Sequence, residues 1–131
     1  MTSDPVVYVD HSTIRPGSID ELRRAIDDLV AFIRVREPQL IHYAFYLDEA
    51  TSQMTVVAVH PDTASVERHM NVGGAAFRAM GEYIDMSGID VYGPTSDRML
   101  ALLEEKAAAL GSGGRVTVHT PLAGFTAALA P

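Results

Sequence analysis

Residues 40–47 read Leu40-Ile41-His42-Tyr43-Ala44-Phe45-Tyr46-Leu47, and residues 54–60 read Met54-Thr55-Val56-Val57-Ala58-Val59-His60. Aromatic and β-branched residues crowd both runs, as half-buried strands require. The link between them, Asp48-Glu49-Ala50-Thr51-Ser52-Gln53, has the length of a short hairpin connection. Two strands joined in this way, with a helix before them and another after, rule out plain strand–helix alternation and point to an α+β chain.

Upstream, Val6 to Ile14 reads as a strand that ends at Arg15-Pro16-Gly17. Ser18-Ile19-Asp20-Glu21 has the form of a capping box. Ile19, Leu22, Ile26, Leu29, Val30 and Ile33 then recur at helical spacing until Pro38 stops the helix near Glu37. Downstream, His60-Pro61-Asp62 closes a strand, and Asp62 is placed to cap a helix carrying Val66, Met70, Phe77 and Met80. Asn71-Val72-Gly73-Gly74 is expected to kink or split that helix. Ser87 to Tyr92 is a short strand. A helix over about 96–110 has Met99, Leu103, Ala107 and Leu110 on its inner face, and Arg115 to Thr120 is a last strand. The predicted order is β-α-β-β-α-β followed by α-β. This is a single domain over 1–131, with a ferredoxin-like core at 6–94 and a C-terminal extension at 95–131.

Alternation along the strands puts Val7, Val9 and His11 on one face and Val6, Tyr8 and Ile14 on the other. Neither face is polar enough to lie wholly in water. Helices cover one, and a homodimer through the sheet face is the expected cover for the other.

Composition limits the chemistry. Asp plus Glu number 17 against 10 Lys plus Arg, a formal charge of -7, which disfavours nucleic acid and anionic membranes as partners. The chain has no cysteine, so thiol nucleophiles, thiolate metal sites and disulfides are excluded. No apolar run approaches the roughly 18–20 residues of a membrane span. Met1-Thr2-Ser3-Asp4-Pro5 lacks the pattern of a secretory leader, so a cytoplasmic location is expected. No His-x-x-x-His or His-Glu-x-x-His pair is present and no metal is expected; Gly-x-Ser-x-Gly is absent too.

The five histidines, His11, His42, His60, His69 and His119, are the candidates for proton transfer near neutral pH. His69, on the second helix where it borders a sheet–helix cleft, is the candidate base. Its alternative is a partly buried histidine bonded to a backbone carbonyl. His11, Tyr43, His60 and Phe77 are candidate substrate-binding residues, the aromatics suiting a planar molecule. His60 can equally just end its strand, and most of the aromatic rings can equally serve ordinary packing. Asp10, on a strand rich in valine, either faces the cleft and orients a histidine or faces solvent and does nothing.

The chain resembles the antibiotic biosynthesis monooxygenase-like group of dimeric α+β barrels. Carrying the likeness are Arg15-Pro16-Gly17 before an amphipathic helix, Glu37-Pro38 before a strand with His42-Tyr43 and Tyr46-Leu47-Asp48, and the strand ending His60-Pro61-Asp62. His69, seven residues on, Phe77, and the tail Leu122-Ala123-Gly124-Phe125 complete it. The resemblance implies a barrel formed by two protomers joined through their sheets, each with a small-molecule cleft and no bound cofactor. It also implies a monooxygenase acting on a phenol or quinol, with a non-catalytic binding or accessory protein for a small aromatic or hydrophobic molecule as the alternative. The sequence departs from the group in having no tryptophan and Asn71 as its single asparagine.

Overall fold

The structure, a computed structural model, describes residues 4–127. Strand β1 (Val6–Ile14) leads into helix α1 (Ile19–Arg36), then β2 (His42–Asp48) and β3 (Gln53–His60). Helix α2 (Thr63–Ala79) follows, then a 3-10 turn (Met80–Glu82), β4 (Ile84–Tyr92), α3 (Asp97–Leu110) and β5 (Val116–His119). The strands form one sheet in the order β2-β3-β1-β4-β5. All neighbours are antiparallel except β4 and β5, which are parallel. The first six elements therefore have the ferredoxin-like βαββαβ arrangement, extended by α3 and β5.

The barrel implied by the resemblance is not found: the sheet is open. Its two edges are β2 and β5, which do not pair with each other. Closure requires a last strand that is staggered and tilted back onto the first, and β5 has four residues and pairs with β4. The helices pack on one side of this open sheet. Leu22, Ile26, Leu29 and Ile33 of α1, Val66, Met70 and Phe77 of α2, and Met99, Leu103, Ala107 and Leu110 of α3 are all buried. They meet an inward row on each central strand: Val6, Tyr8, Asp10, Ser12 and Ile14 on β1, and Met54, Val56, Ala58 and His60 on β3. Period-two alternation sends Val7, Val9 and His11 to the open face, where Val57 and Val59 join them.

Several local expectations are revised. Ser18 sits at the start of α1 in a helical conformation and its hydroxyl makes no capping bond, so the box does not form. Asp62 does cap α2, accepting from the Ser65 amide. Asn71-Val72-Gly73-Gly74 does not break α2, which is continuous from Thr63 to Ala79. A glycine in a helix costs only about 1 kcal/mol. At Gly73 the bare Cα has a use, because a methyl there would collide with the Phe77 ring one turn later. Strand β4 begins at Ile84, earlier than expected and separated from the 3-10 turn by one residue. Among the described residues no helix is long and apolar enough to cross a membrane.

The exit from α3 is tight. A Cβ on Gly111 would collide with the Met86 backbone, whereas one on Gly113 would meet nothing. Gly111→Ala is expected to cost about 1–3 kcal/mol, lowering Tm by roughly 4–12 °C. Gly113→Ala is expected to stay within about 0.5 kcal/mol of the parent. Thermal unfolding of the two variants measures the difference.

Candidate functional site

Two polar systems lie buried between sheet and helices. The first starts where α1 ends. A residue before proline is barred from helical geometry, and Glu37, ahead of Pro38, leaves the helix at φ -129°, ψ 67°. Its carboxylate lies in the interior, 2% exposed. His69 Nδ1–H donates to Glu37 Oε2 at 2.7 Å. Gln39 Nε2 spends its two hydrogens on Glu37 Oε1 (3.3 Å) and Ser65 Oγ (3.2 Å). Ser65 Oγ is also hydrogen-bonded to His60 Nδ1 at 2.7 Å. A single run of hydrogen bonds thus joins two imidazoles whose ring centres are 5.2 Å apart.

Burial is the main cause that lowers the pKa of both rings. For His60, assisted by the charges of His69 and Lys106, the pKa falls to about 3. For His69 the hydrogen bond and charge of Glu37 oppose the fall without cancelling it. With Nδ1–H committed to Glu37, the neutral His69 ring keeps its lone pair on Nε2, which has no hydrogen-bond partner among the described residues. Tyr8, Tyr43 and Phe77 pack around this ring at 5.9, 5.1 and 4.9 Å. Burial, followed by the charge of Asp10, raises both phenol pKa values well above the ordinary value, so both remain neutral donors.

The second system is one ion pair. Asp10 on β1 is 2% exposed and faces the helices. It orients a lysine, not a histidine: Lys106 Nζ of α3 donates to Asp10 Oδ2 at 2.7 Å. The ammonium also lies 4.4 Å from the Phe77 ring centre and 5.1 Å from that of Tyr8. Asp10 Oδ1, Tyr8 Oη and Ser12 Oγ have no partner among the described residues.

Asp10 and Lys106 are the charged members of a cavity wall completed by Tyr43, Phe45, Phe77, Met54, Met80, Met86 and aliphatic side chains. The cavity has about 20 Å³ of space wide enough for the centre of a water molecule. That admits a water or two, and an aromatic ring only when a wall residue moves. Phe77, Lys106 and Leu110 also line an open groove between α2 and α3, so these three side chains partition the cavity from the outside.

Four of the residues singled out in the sequence are therefore neighbours: His69, His60, Tyr43 and Phe77. Of these, Tyr43 and Phe77 line the cavity, while His69 and His60 stand behind them. His11 is on the opposite sheet face, where its Nε2 is 2.9 Å from Asp90 Oδ2 and that of His119 is 2.9 Å from Asp90 Oδ1. Those hydrogen bonds, led by His119, lower the Asp90 pKa. Sequence reasoning missed Glu37, Gln39, Ser65 and Lys106. Lys106 had a legible signal: with Met99, Leu103 and Leu110 it completes an inner helical stripe, and a lone charge in such a stripe needs a buried partner. Among the described residues no group of three or more His, Asp or Glu is arranged to hold a metal ion.

No family model matches the sequence, and no curated protein is significantly similar to it. Solved structures do match the fold. MupZ from Pseudomonas fluorescens aligns with a TM-score of 0.71 at 12% identity, over 98% of this chain and 100% of MupZ. PA3566 from Pseudomonas aeruginosa aligns with a TM-score of 0.60 at 23% identity, over 73% and 99% of the two chains. A structure described as an antibiotic biosynthesis monooxygenase gives 0.57 at 18% identity, over 66% and 94%. At these identities the likeness is one of fold.

The histidine environment makes stability depend on pH. Unfolded His60 takes up a proton near pH 6.5, and folded His60 does so near pH 3. Its stabilising contribution is therefore complete above pH 6.5 and is lost as pH falls toward 3. Between pH 6 and 4, His60→Leu is expected to flatten the stability profile by up to one proton, about 1.4 kcal/mol per pH unit. Denaturant titrations across that range measure the slope.

Proposed function

We propose that this chain acts on a small, flat, largely apolar molecule without a bound cofactor, as a monooxygenase of a phenol or quinol, with His69 as the base. What supports this is the state of one imidazole: fully buried, held through Nδ1 by Glu37, and bare at Nε2. A neutral ring fixed in one tautomer is prepared to receive a proton. Tyr43 and Phe77 provide the aromatic surface between this ring and the cavity, so productive binding moves Phe77 aside and lays the substrate ring against His69.

In the reaction, an activated methylene beside a phenol ring loses a proton to Nε2 and keeps the electron pair. The carbanion passes one electron to dioxygen, and the substrate radical and superoxide join as a peroxide. Loss of water from the peroxide leaves a carbonyl, so that CH2 and O2 become C=O and H2O. The protein contributes deprotonation, orientation and an apolar enclosure. The shared fold of an antibiotic biosynthesis monooxygenase agrees with this reading at the level of architecture. Non-catalytic binding of the same kind of molecule is the second reading, favoured by the position of His69 behind the cavity wall.

Oxygen-electrode traces with a panel of hydroquinones and anthrones decide between them. Uptake that falls at least about tenfold in His69→Ala is the expected result. His69→Gln, which retains a donor for Glu37, should show the same loss. Ligand binding without oxygen uptake would assign the second reading.

The open sheet face also needs a cover in this reading, and a second copy supplies it. Val7, Val9, Val57, Val59 and Tyr46 present an apolar surface there, with Tyr46 51% exposed. Light scattering should give twice the 14.1 kDa chain mass, and Val57→Asp should halve it. A wild-type chain that stays at 14.1 kDa would exclude self-association.

A further inference from the structure

We infer that Asp10 and Lys106 together recognise one neutral hydroxyl group on the molecule that enters the cavity. The inference rests on the cavity being the binding site, as in the proposed function, but not on His69 or on dioxygen chemistry. Lys106 has three ammonium hydrogens, of which one is given to Asp10 Oδ2. Asp10 Oδ1 is buried, lies on a cavity-lining residue, and has no partner among the described residues. The pair therefore offers a vacant acceptor beside a cation with hydrogens to spare.

A hydroxyl fits both, donating to Oδ1 and accepting from Nζ. Each alternative leaves a defect. A carboxylate meets the charge of Asp10, an ammonium meets that of Lys106, and a methyl leaves Oδ1 desolvated and unpaired. Among the described residues no other charged side chain lines the cavity, and Glu37 is tied to His69 and Gln39. Since the remaining wall is apolar and aromatic, the guest is a flat hydrocarbon skeleton carrying its hydroxyl at one end.

The methionines report occupancy. Met54, Met80 and Met86 line the cavity, whereas Met99 is buried outside it. Protein labelled with carbon-13 at the methionine methyls is titrated under argon with phenol, toluene, benzoate and benzylammonium. Phenol should shift the three cavity methyls and leave Met99 in place. It should bind at least about tenfold more tightly than the other three probes. Asp10→Asn should transfer the preference to benzoate, and Lys106→Met should transfer it to benzylammonium.

Because each single change strands a buried charge, the double variant Asp10→Asn/Lys106→Met keeps the test decisive if either fails to fold. With both charges removed it should bind toluene as tightly as phenol. Equal binding of phenol and toluene by the parent, a preference for phenol that survives the double change, or cavity methyls unmoved by every probe would each overturn the proposal. Because none of these titrations involves oxygen or turnover, failure of the oxygenase reading leaves their outcome unaffected.

Discussion

A carboxylate on the central strand of a sheet, covered by helices, cannot stay ionised there without a cation beside it. Asp10 is such a group, and its partner Lys106 is 96 residues away in the sequence, on the helix that extends the core fold. The pair therefore fixes α3 against β1 as well as balancing charge. The Lys106 side chain runs through an apolar wall to reach the carboxylate, and its ammonium lies against the Tyr8 and Phe77 rings. Breaking such a buried pair by removing one partner generally costs about 3–5 kcal/mol, so the position of α3 and the closure of the cavity are linked.

The second polar system is built from hydrogen bonds. Glu37, Gln39, Ser65, His60 and His69 are linked by hydrogen bonds that leave Nε2 of each imidazole without a partner among the described residues, and burial lowers the pKa of both rings. The two systems meet through rings instead of hydrogen bonds: Tyr8 and Phe77 each contact both Lys106 and His69. Aromatic surface thus lies between the Asp10–Lys106 pair and the His69 ring. On the far side of the sheet, His11, Asp90 and His119 form a separate and solvent-accessible set.

Strand and helix placement was legible because it rests on periodicity, and Val6, Tyr8 and Ile14 on β1 and Leu22, Ile26 and Ile33 on α1 are buried as that periodicity requires. Closure of the sheet was not legible, since it depends on what lies beside β2 and β5 and no local pattern in those strands encodes it. The uninterrupted α2 shows why adjacent glycines mislead: propensity disfavours them, but the Phe77 ring requires an absent side chain at 73. Asp10 could be placed on a face by alternation alone, yet its partner lay beyond any local window. Glu37 was visible as a helix terminator through Pro38, but its inward carboxylate depended on His69 being within reach.

Gly73 and Phe77 have a further consequence. Because the ring rests on a bare Cα, one wall of the chamber is positioned by two residues one helical turn apart. A shorter residue at 77 widens the bore, and the space it vacates above 73 can be refilled from the helix itself by a methyl. Any change of size at 77 therefore also alters the packing of the His69 ring and of the Lys106 ammonium, which both rest against this side chain.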